Sequence, residues 1–186
     1  MTIQHNVITD PDIHEPKGVA AAAAGQVYVA NGAGSGTWKD KDKGLGAWTG
    51  FDAATPAYQH TTTTSDTVLN NTVITGANDG FTIVTTPNLR FTYSGTETIT
   101  SFVQLSLATK NTSGSNKDVQ WALFKNGTEL TGSRVIRSLT TGTWGSITLS
   151  TVVSLATSDY LEIYTKADAA CTVDYASIQL IIQGHS

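Results

Sequence analysis

The sequence predicts an all-β protein, an antiparallel sandwich or barrel preceded by an N-terminal arm or small β module. Asn126-Gly127 separates two apolar-rich runs and suits a type I′ turn, because both residues tolerate positive φ. From Phe51 onward, turn signals such as the one at 76–80 separate many short segments of strand character without helical periodicity. The segment 173–182 ends in an apolar run, which is typical of a strand in the middle of an inner sheet or at a subunit contact.

Closely spaced strands without helices indicate a layered antiparallel domain. In the strand before the Asn126-Gly127 turn, either Val119, Trp121 and Leu123 or the frame with Ala122 and Phe124 faces the core. The predicted strands are 57–63, 67–74, 81–85, 89–93, 99–109, 119–125, 128–137, 146–155, 160–166 and 171–183.

Composition argues against several functional classes. Charged residues make up 14% of the 186 residues, against about 25% in average soluble proteins. With 11 Lys and Arg and a net charge of −4, the chain offers no basic patch for nucleic acid. No apolar run is long enough to cross a membrane, and no secretory signal is recognisable. The single cysteine, Cys171, predicts a buried strand position, and we expect synthesis in a cytoplasm without any need for oxidation.

The first fifty residues differ from the rest of the chain. Prolines break the segment at 10–12 and 14–18, a short strand is predicted at 26–30, and a glycine-rich loop follows at 31–36. Such a segment buries too little apolar surface to be stable alone. We interpret 39–50 as a linker, which divides the chain into an arm at 1–50 and a domain at 51–186.

Four motifs in the C-terminal half resemble the tumour necrosis factor-like jelly roll, the family that includes complement-type globular domains. They are 123–128 (LFKNGT), 132–135 (GSRV), 155–163 (LATSDYLEI) and 175–180 (YASIQL), and Ser158 stands where that family usually has glycine. The resemblance covers roughly 91–182 and implies a compact homotrimer. It also implies that several apolar residues are trimer or core contacts, namely Trp121, Phe124, Tyr160, Tyr175, Ile178 and Leu180.

Two segments near the N-terminus, 8–18 and 25–38, resemble the leading segments of tailed-bacteriophage virion proteins of the head decoration or fibre type. This resemblance implies location in the virion after assembly in the host cytoplasm. It also implies attachment to the major capsid protein or another virion protein. The implied attachment residues are Asp10, Pro11, Asp12, Ile13, His14, Glu15, Pro16, Tyr28 and Trp38.

The sequence shows no constellation of catalytic residues and no cofactor motif. Gly34-Ser35-Gly36 has no strand-to-helix context for a nucleophile or a phosphate cradle. Asp10, Asp12 and His14 alternate, and three copies on a trimer axis would offer metal ligands, but ordinary turn chemistry explains these residues fully. We therefore expect neither an enzyme nor a metalloprotein.

The expected function is that of a trimeric capsid decoration protein, of the cement or head-fibre type, anchored by its N-terminal arm. The alternative is the receptor- or glycan-binding tip of a tail fibre, which would use Trp144 and the loop 111–116. Trp38, Trp48 and Trp144 are expected in glycine-rich loops. Arg134 and Arg137 could pair with carboxylates across a subunit contact or remain solvated.

Overall fold

A computed structural model describes residues 22–23, 26–30, 36–40, 43–48, 54–56, 58–70 and 74–185. The chain divides into two compact units, Met1–Lys41 and Asp42–Ser186. All regular secondary structure in the described residues is β-strand, and every strand pairs with its neighbours in the antiparallel sense.

The first unit contains a two-stranded hairpin. Strand β1 (Gln26–Ala30) was predicted from the sequence, and it pairs with β2 (Gly36–Asp40). Tyr28 lies opposite Trp38, and their rings meet edge to face with centroids 5.3 Å apart.

The second unit is a sandwich of two sheets. Its strands are β3 (Lys43–Trp48), β4 (Tyr58–Thr62), β5 (Thr67–Val68), β6 (Thr75–Asp79), β7 (Phe81–Val84), β8 (Arg90–Tyr93), β9 (Ile99–Asn111), β10 (Lys117–Lys125), β11 (Thr128–Glu129), β12 (Val135–Leu139), β13 (Gly145–Leu155), β14 (Tyr160–Ala167) and β15 (Cys171–His185). The seven-stranded sheet has the order β11-β10-β14-β8-β7, with β12 on β10 and β5 on β14. The six-stranded sheet has the order β13-β9-β15-β3-β6, with β4 on β15.

Successive strands from β8 to β10 and from β13 to β15 cross between the two sheets, which gives an antiparallel jelly roll. The predicted fold class is thereby confirmed. The strand that carries the final apolar run, β15, lies in the middle of the six-stranded sheet, the first of the two positions that the sequence suggests.

Residues that alternate along the long strands form the core between the sheets. Val119, Trp121 and Leu123 on β10 are fully buried there, which decides between the two possible frames. The Trp121 indole N–H donates to the Tyr175 hydroxyl of the opposite sheet at 3.0 Å. Burial raises the pKa of Tyr175, so this hydroxyl stays protonated at neutral pH. Cys171 is also buried, as expected.

The Asn126-Gly127 turn has the geometry that the sequence predicts. Asn126 and Gly127 have φ of 50° and 78°, the signs that a type I′ turn requires. The Asn126 amide group joins this hairpin to the neighbouring turn, because it donates to Asp159 at 2.6 Å and accepts from the Tyr160 N–H at 2.9 Å. Ser158 in that neighbouring turn has φ of 71°, so it adopts the left-handed conformation of the glycine it replaces.

The predicted linker at 39–50 is wrong over part of its length. Lys43–Trp48 forms β3, which pairs with β15 on one side and β6 on the other. The boundary between the two compact units accordingly lies at residues 41 and 42, not near Gly50. Alternating charges and glycines suggested a linker, but Leu45 and Ala47 alternate with glycines and are buried. Trp38 and Trp48 therefore belong to strands, β2 and β3, and not to loops.

Two predicted strands are shorter than expected, and one predicted turn is a strand. Among the described residues of the strand predicted at 67–74, which exclude 71–73, only Thr67–Val68 forms a strand, β5. The strand predicted at 128–137 is divided into β11 and β12 around Gly132, whose φ is 80°. The turn predicted at 76–80 is mostly β6, an edge strand with exposed side chains. Gly76 is required there, because a Cβ would come within 1.7 Å of the Gly46 carbonyl oxygen.

Candidate self-association surface

The six-stranded sheet exposes one side, which we call the open face. Along β9, alternate residues such as Val103 and Leu105 enter the core, and the residues between them face outward. The same alternation occurs along β13. The outward residues of the central strands are mostly small or uncharged, namely Phe102, Gln104, Ser106, Ala108, Thr148, Ser150, Val152, Ser177, Gln179, Ile181 and Gln183.

Two large apolar side chains form a ridge on the open face. Phe102 is 43% exposed and Val152 is 64% exposed, and the two residues are direct register partners across β9 and β13. Single exposed apolar residues are common on proteins, but adjacent ones create a continuous patch. This Phe102-Val152 ridge is consequently a candidate contact surface.

A glycine trough lies beside the ridge on the same face. Gly44 and Gly46 on β3 have no side chains to cover this part of the sheet, and a pocket of about 360 Å³ opens there. Gln183 lies between the two features, because it pairs with Phe102 on one side and with Gly44 on the other. The pocket is lined by Gly44, Leu45, Gly46, Ala77, Gln179, Ile181, Ile182 and Gln183.

Among the described residues, the charged side chains of the open face lie toward the ends of its strands and at the β6 edge. Lys110 pairs with the buried Asp174 at 3.4 Å, and Gln59 donates to the same carboxylate at 2.7 Å. The Lys110 ammonium lies 4.7 Å from the centre of the Trp144 ring. In the row that contains the ridge and the trough, Val152, Phe102, Gln183 and Gly44 are uncharged. The row ends at the sheet edge with Asp79 on β6, whose carboxylate lies 3.5 Å from the Lys43 ammonium.

The exposed side of the seven-stranded sheet is different, and we call it the charged face. Glu162 on β14 is only 2% exposed because neighbouring polar groups surround it. Arg90 donates to its Oε1 from Nε at 3.1 Å and from Nη2 at 2.9 Å, and Asn88 donates to the same oxygen at 3.2 Å. The Tyr164 hydroxyl lies 3.4 Å from Oε2. These bonds offset the cost of removing the carboxylate from water.

Aromatic rings complete the charged face. Phe124 and Tyr164 stack with centroids 3.9 Å apart, and the Arg90 guanidinium lies 3.7 Å above the centre of the Tyr160 ring. Burial, together with the nearby Glu162 carboxylate, raises the pKa of Tyr164, so its hydroxyl is a neutral donor. The buried Glu162 carboxylate on this face is therefore satisfied within the chain.

Most predicted attachment residues lie outside the described residues: Asp10, Pro11, Asp12, Ile13, His14, Glu15 and Pro16. The alternating Asp10, Asp12 and His14 that could serve as metal ligands fall in the same segment. Tyr28 and Trp38 are described, and the hairpin brings their rings together.

The residues expected at trimer or core contacts are placed in two groups. Trp121, Tyr175, Ile178 and Leu180 are fully buried in the core of the sandwich. Phe124 and Tyr160 lie on the charged face, as described above. None of the six residues faces outward on the open face.

Sequence reasoning missed the residues of the open face. The signal was present in β9, where Phe102 occupies the frame opposite to the buried Val103 and Leu105. A large apolar residue in the exposed frame of an alternating strand indicates a contact surface. Gly44 and Gly46 gave no such signal, because their neighbours favoured a linker.

The residues considered for glycan binding or subunit contacts mostly contact their own chain. Trp144 faces Lys110, and Asn111 is fully buried, bonded to the loop at Ser113 and Ser115. Arg134 binds Glu129 through two bonds of 2.9 and 2.6 Å, which lowers the pKa of that carboxyl, and it also pairs with Asp66 at 3.0 Å. Arg137 donates to the Ser146 carbonyl oxygen.

Two further findings concern the described part of the chain. No helix there is long and apolar enough to cross a membrane. No group of three or more His, Cys, Asp or Glu side chains is arranged there to hold a metal ion.

The chain was compared with known proteins. No protein-family model matches the sequence, and no curated protein sequence matches it. The structure of Eiger TNF from S. frugiperda is similar, with a TM-score of 0.51 at 10% identity over 77% of this chain and 94% of that chain. Murine APRIL at pH 5.0 gives a TM-score of 0.45 at 12% identity, over 76% of this chain and 98% of that one. The infectious bursal disease virus Gx strain gives 0.40 at 12% identity, over 84% and 35%.

The similarity to Eiger TNF concerns the fold alone, because only one residue in ten is identical. It agrees with the two-sheet topology and with the motifs noted in the sequence. The second unit thus has a jelly-roll fold similar to that of Eiger TNF. Its function has to be argued from its own surfaces.

Proposed function

We propose that this chain is a structural virion protein, a trimeric capsid decoration protein of the cement or head-fibre type. Its jelly roll associates with two further copies through the open face, and its N-terminal arm attaches the trimer to the particle. The observation that carries self-association is the open face, where an exposed apolar ridge and an adjacent trough lie among uncharged residues of the central strands.

The chemistry of the open face favours burial against protein. The centres of protein interfaces are depleted of charged residues, because an unpaired charge costs several kcal/mol to remove from water. Phe102 and Val152 would lose exposed apolar area in such a contact. The Gln and Ser side chains around them can exchange water for hydrogen bonds with a partner.

The shape of the open face favours a ring over a simple pair. A ridge and a trough are different features, so a ridge that enters the trough of the next copy makes a head-to-tail contact. Head-to-tail contacts form closed rings when the rotation between copies is suitable. A ring of three is the state that the family resemblance implies.

Virion attachment is assigned to the N-terminal arm. The segments 8–18 and 25–38 resemble the leading parts of phage virion proteins, and residues 1–41 form a compact unit separate from the jelly roll. Three arms on one trimer attach together, so avidity compensates for a small contact by each arm. The major capsid protein is the expected partner.

Removing residues 1–41 tests whether the arm attaches the protein to the particle while the jelly roll forms the trimer. The shortened protein should keep the oligomeric state of the full chain, measured by sedimentation velocity, and should lose binding to purified particles in a co-sedimentation assay. The full-length chain is the control. Retained particle binding would place attachment in the jelly roll and contradict the proposal.

The second candidate is the receptor- or glycan-binding tip of a tail fibre. Trp144 and Asn111 contact their own chain, so they offer little for a ligand. The observation that supports this candidate is a pocket on the charged face, which could receive part of a ligand. Binding of the shortened protein to host cells would favour it.

A further inference from the structure

A small pocket opens at the edge of the charged face, beside the buried Glu162. It has a volume of about 250 Å³ and is lined by Val84, Pro87, Asn88, Arg90 and Thr92. Drug-sized ligands usually occupy about 300–1,000 Å³, so this pocket suits a single ring-sized group. It lies on the sheet opposite to the open face, so a ligand here would not compete with self-association.

The polar groups of the pocket are fixed in position before any ligand arrives. Glu162, which is almost fully buried, holds Arg90 through two hydrogen bonds and Asn88 through one. The Arg90 guanidinium also lies 3.7 Å from the centre of the Tyr160 ring, which further limits its movement. The conformational entropy lost by these side chains on ligand binding would therefore be small.

These fixed groups keep hydrogen-bonding capacity that the described residues do not use. Arg90 has five N–H groups, and two of them donate to Glu162. Asn88 donates one N–H and has a carbonyl oxygen that accepts none of the hydrogen bonds found in the described part of the chain. Thr92 likewise brings a hydroxyl to the pocket wall.

The charge and the apolar wall of the pocket define the class of ligand. Glu162 compensates the charge of Arg90, so the pair attracts neither anions nor cations strongly. Val84 and Pro87 form an apolar wall beside the polar groups. A neutral pyranose ring matches this combination, because its C–H groups are apolar and its hydroxyls both donate and accept hydrogen bonds.

We propose that this pocket binds a neutral pyranoside, one sugar unit of a surface glycan. Its hydroxyls bond to Arg90, Asn88 and Thr92, and its C–H groups pack against Val84 and Pro87. The inference does not rest on the proposed virion function, since the pocket belongs to one copy of the jelly roll.

The test is saturation-transfer NMR and a chemical-shift titration of the full-length protein with methyl pyranosides. The neutral probes are the methyl glycosides of galactose, glucose, mannose and N-acetylglucosamine, and the anionic probe is methyl α-sialoside. At least one neutral probe should bind, with a Kd on the order of 1 mM because a single sugar has few atoms. The sialoside should bind at least fivefold more weakly.

Two variants locate the binding. Asn88→Ala and Thr92→Val should each weaken binding roughly fivefold or more. Thr92→Val should leave the thermal unfolding midpoint nearly unchanged, whereas Asn88→Ala also removes a hydrogen bond to the buried Glu162 and should lower the midpoint. Thr140→Val, an exposed threonine outside the pocket, is the matched control and should bind like the wild type.

If no neutral probe binds at 50 mM, if only the sialoside binds, or if both pocket variants bind normally, the proposal is wrong. Sugar binding at this pocket does not depend on the oligomeric state or on particle attachment. These outcomes therefore do not decide the proposed virion function, which the removal of residues 1–41 tests separately.

Discussion

The seven-stranded and the six-stranded sheet share one core but satisfy their outward side chains differently. On the charged face, Glu162, Arg90 and Asn88 are bonded to one another, and Phe124 stacks on Tyr164. On the open face, the ridge and the glycine trough have no such cover. Alternation of inward and outward residues along the strands explains the sandwich. The identity of the outward residues determines what each side of the molecule can contact.

The largest expected effect on stability is at the charged face. Glu162→Ala should lower the free energy of unfolding by about 2–3 kcal/mol, because Arg90 and Asn88 lose their buried acceptor. Glu129→Ala is the matched control, since Glu129 also pairs with an arginine but its side chain is 37% exposed, and it should cost about 1 kcal/mol or less. Urea unfolding measures both, and equal losses would mean that the charged face is not internally stabilised.

The next effect concerns the bond that joins the two sheets. Tyr175→Phe should cost about 1–2 kcal/mol, because the buried Trp121 N–H loses its acceptor. Tyr164→Phe removes a hydroxyl from a longer, partly exposed contact of 3.4 Å and should cost about 0.5 kcal/mol or less. If urea unfolding shows a larger loss for Tyr164→Phe than for Tyr175→Phe, the polar bonds on the charged face contribute more to stability than the bond between the sheets.

A smaller effect is expected at the turn beside the Asn126-Gly127 hairpin. Ser158→Gly should stabilise the protein by roughly 0.5–1 kcal/mol, because glycine adopts a φ of 71° without the penalty of a Cβ. Asn126→Gly is the control at a second positive-φ position, and there the lost bonds to Asp159 and Tyr160 should destabilise the protein. Thermal unfolding of the two variants should therefore shift in opposite directions, and a destabilised Ser158→Gly would refute the strain argument.

The smallest effect is a pH dependence within the sandwich. His60 on β4 is bonded to the Tyr58 hydroxyl at 2.8 Å and to Thr67 on β5 at 3.1 Å. Burial lowers the pKa of His60 below the value of about 6.5 expected in the unfolded chain. The unfolded state therefore binds the proton more readily, and stability should fall as the pH decreases through about 6.5.

The variant His60→Gln isolates this contribution. Its urea midpoint should change less than that of the wild type between pH 7.5 and 5.5, whatever its absolute stability. Identical pH profiles would show that His60 is not responsible for the dependence.

Much of the fold follows from local sequence signals. The Asn126-Gly127 turn and the alternation along β10 were predicted, because turn chemistry and alternation are local properties, whereas the structure was needed to choose between the two frames of β10. The strand β3 was missed, since its glycines and flanking charges resemble a linker. Its conformation depends on pairing with β15, which is more than 130 residues away in sequence.

The candidate surfaces were harder to predict than the fold. Resemblance directed attention to apolar residues such as Tyr175 and Leu180, and these are used in the core. The ridge and the trough arise only when β9, β13, β15 and β3 are placed side by side. The Glu162 network likewise joins residues from β14 and the start of β8, which are about 70 residues apart in sequence.

Self-association through the open face is tested most directly by two matched substitutions. Val152 on the open face and Ile136 on β12 of the other sheet are both 64% exposed, so a glutamate at either position should be tolerated in a monomer. Sedimentation velocity of the wild type should give about three times the chain mass of 19.6 kDa. Val152→Glu should sediment as a monomer at micromolar concentration, because a buried charge opposes the contact, and Ile136→Glu should remain trimeric. A trimeric Val152→Glu, or a wild-type monomer, would contradict the assignment of the open face.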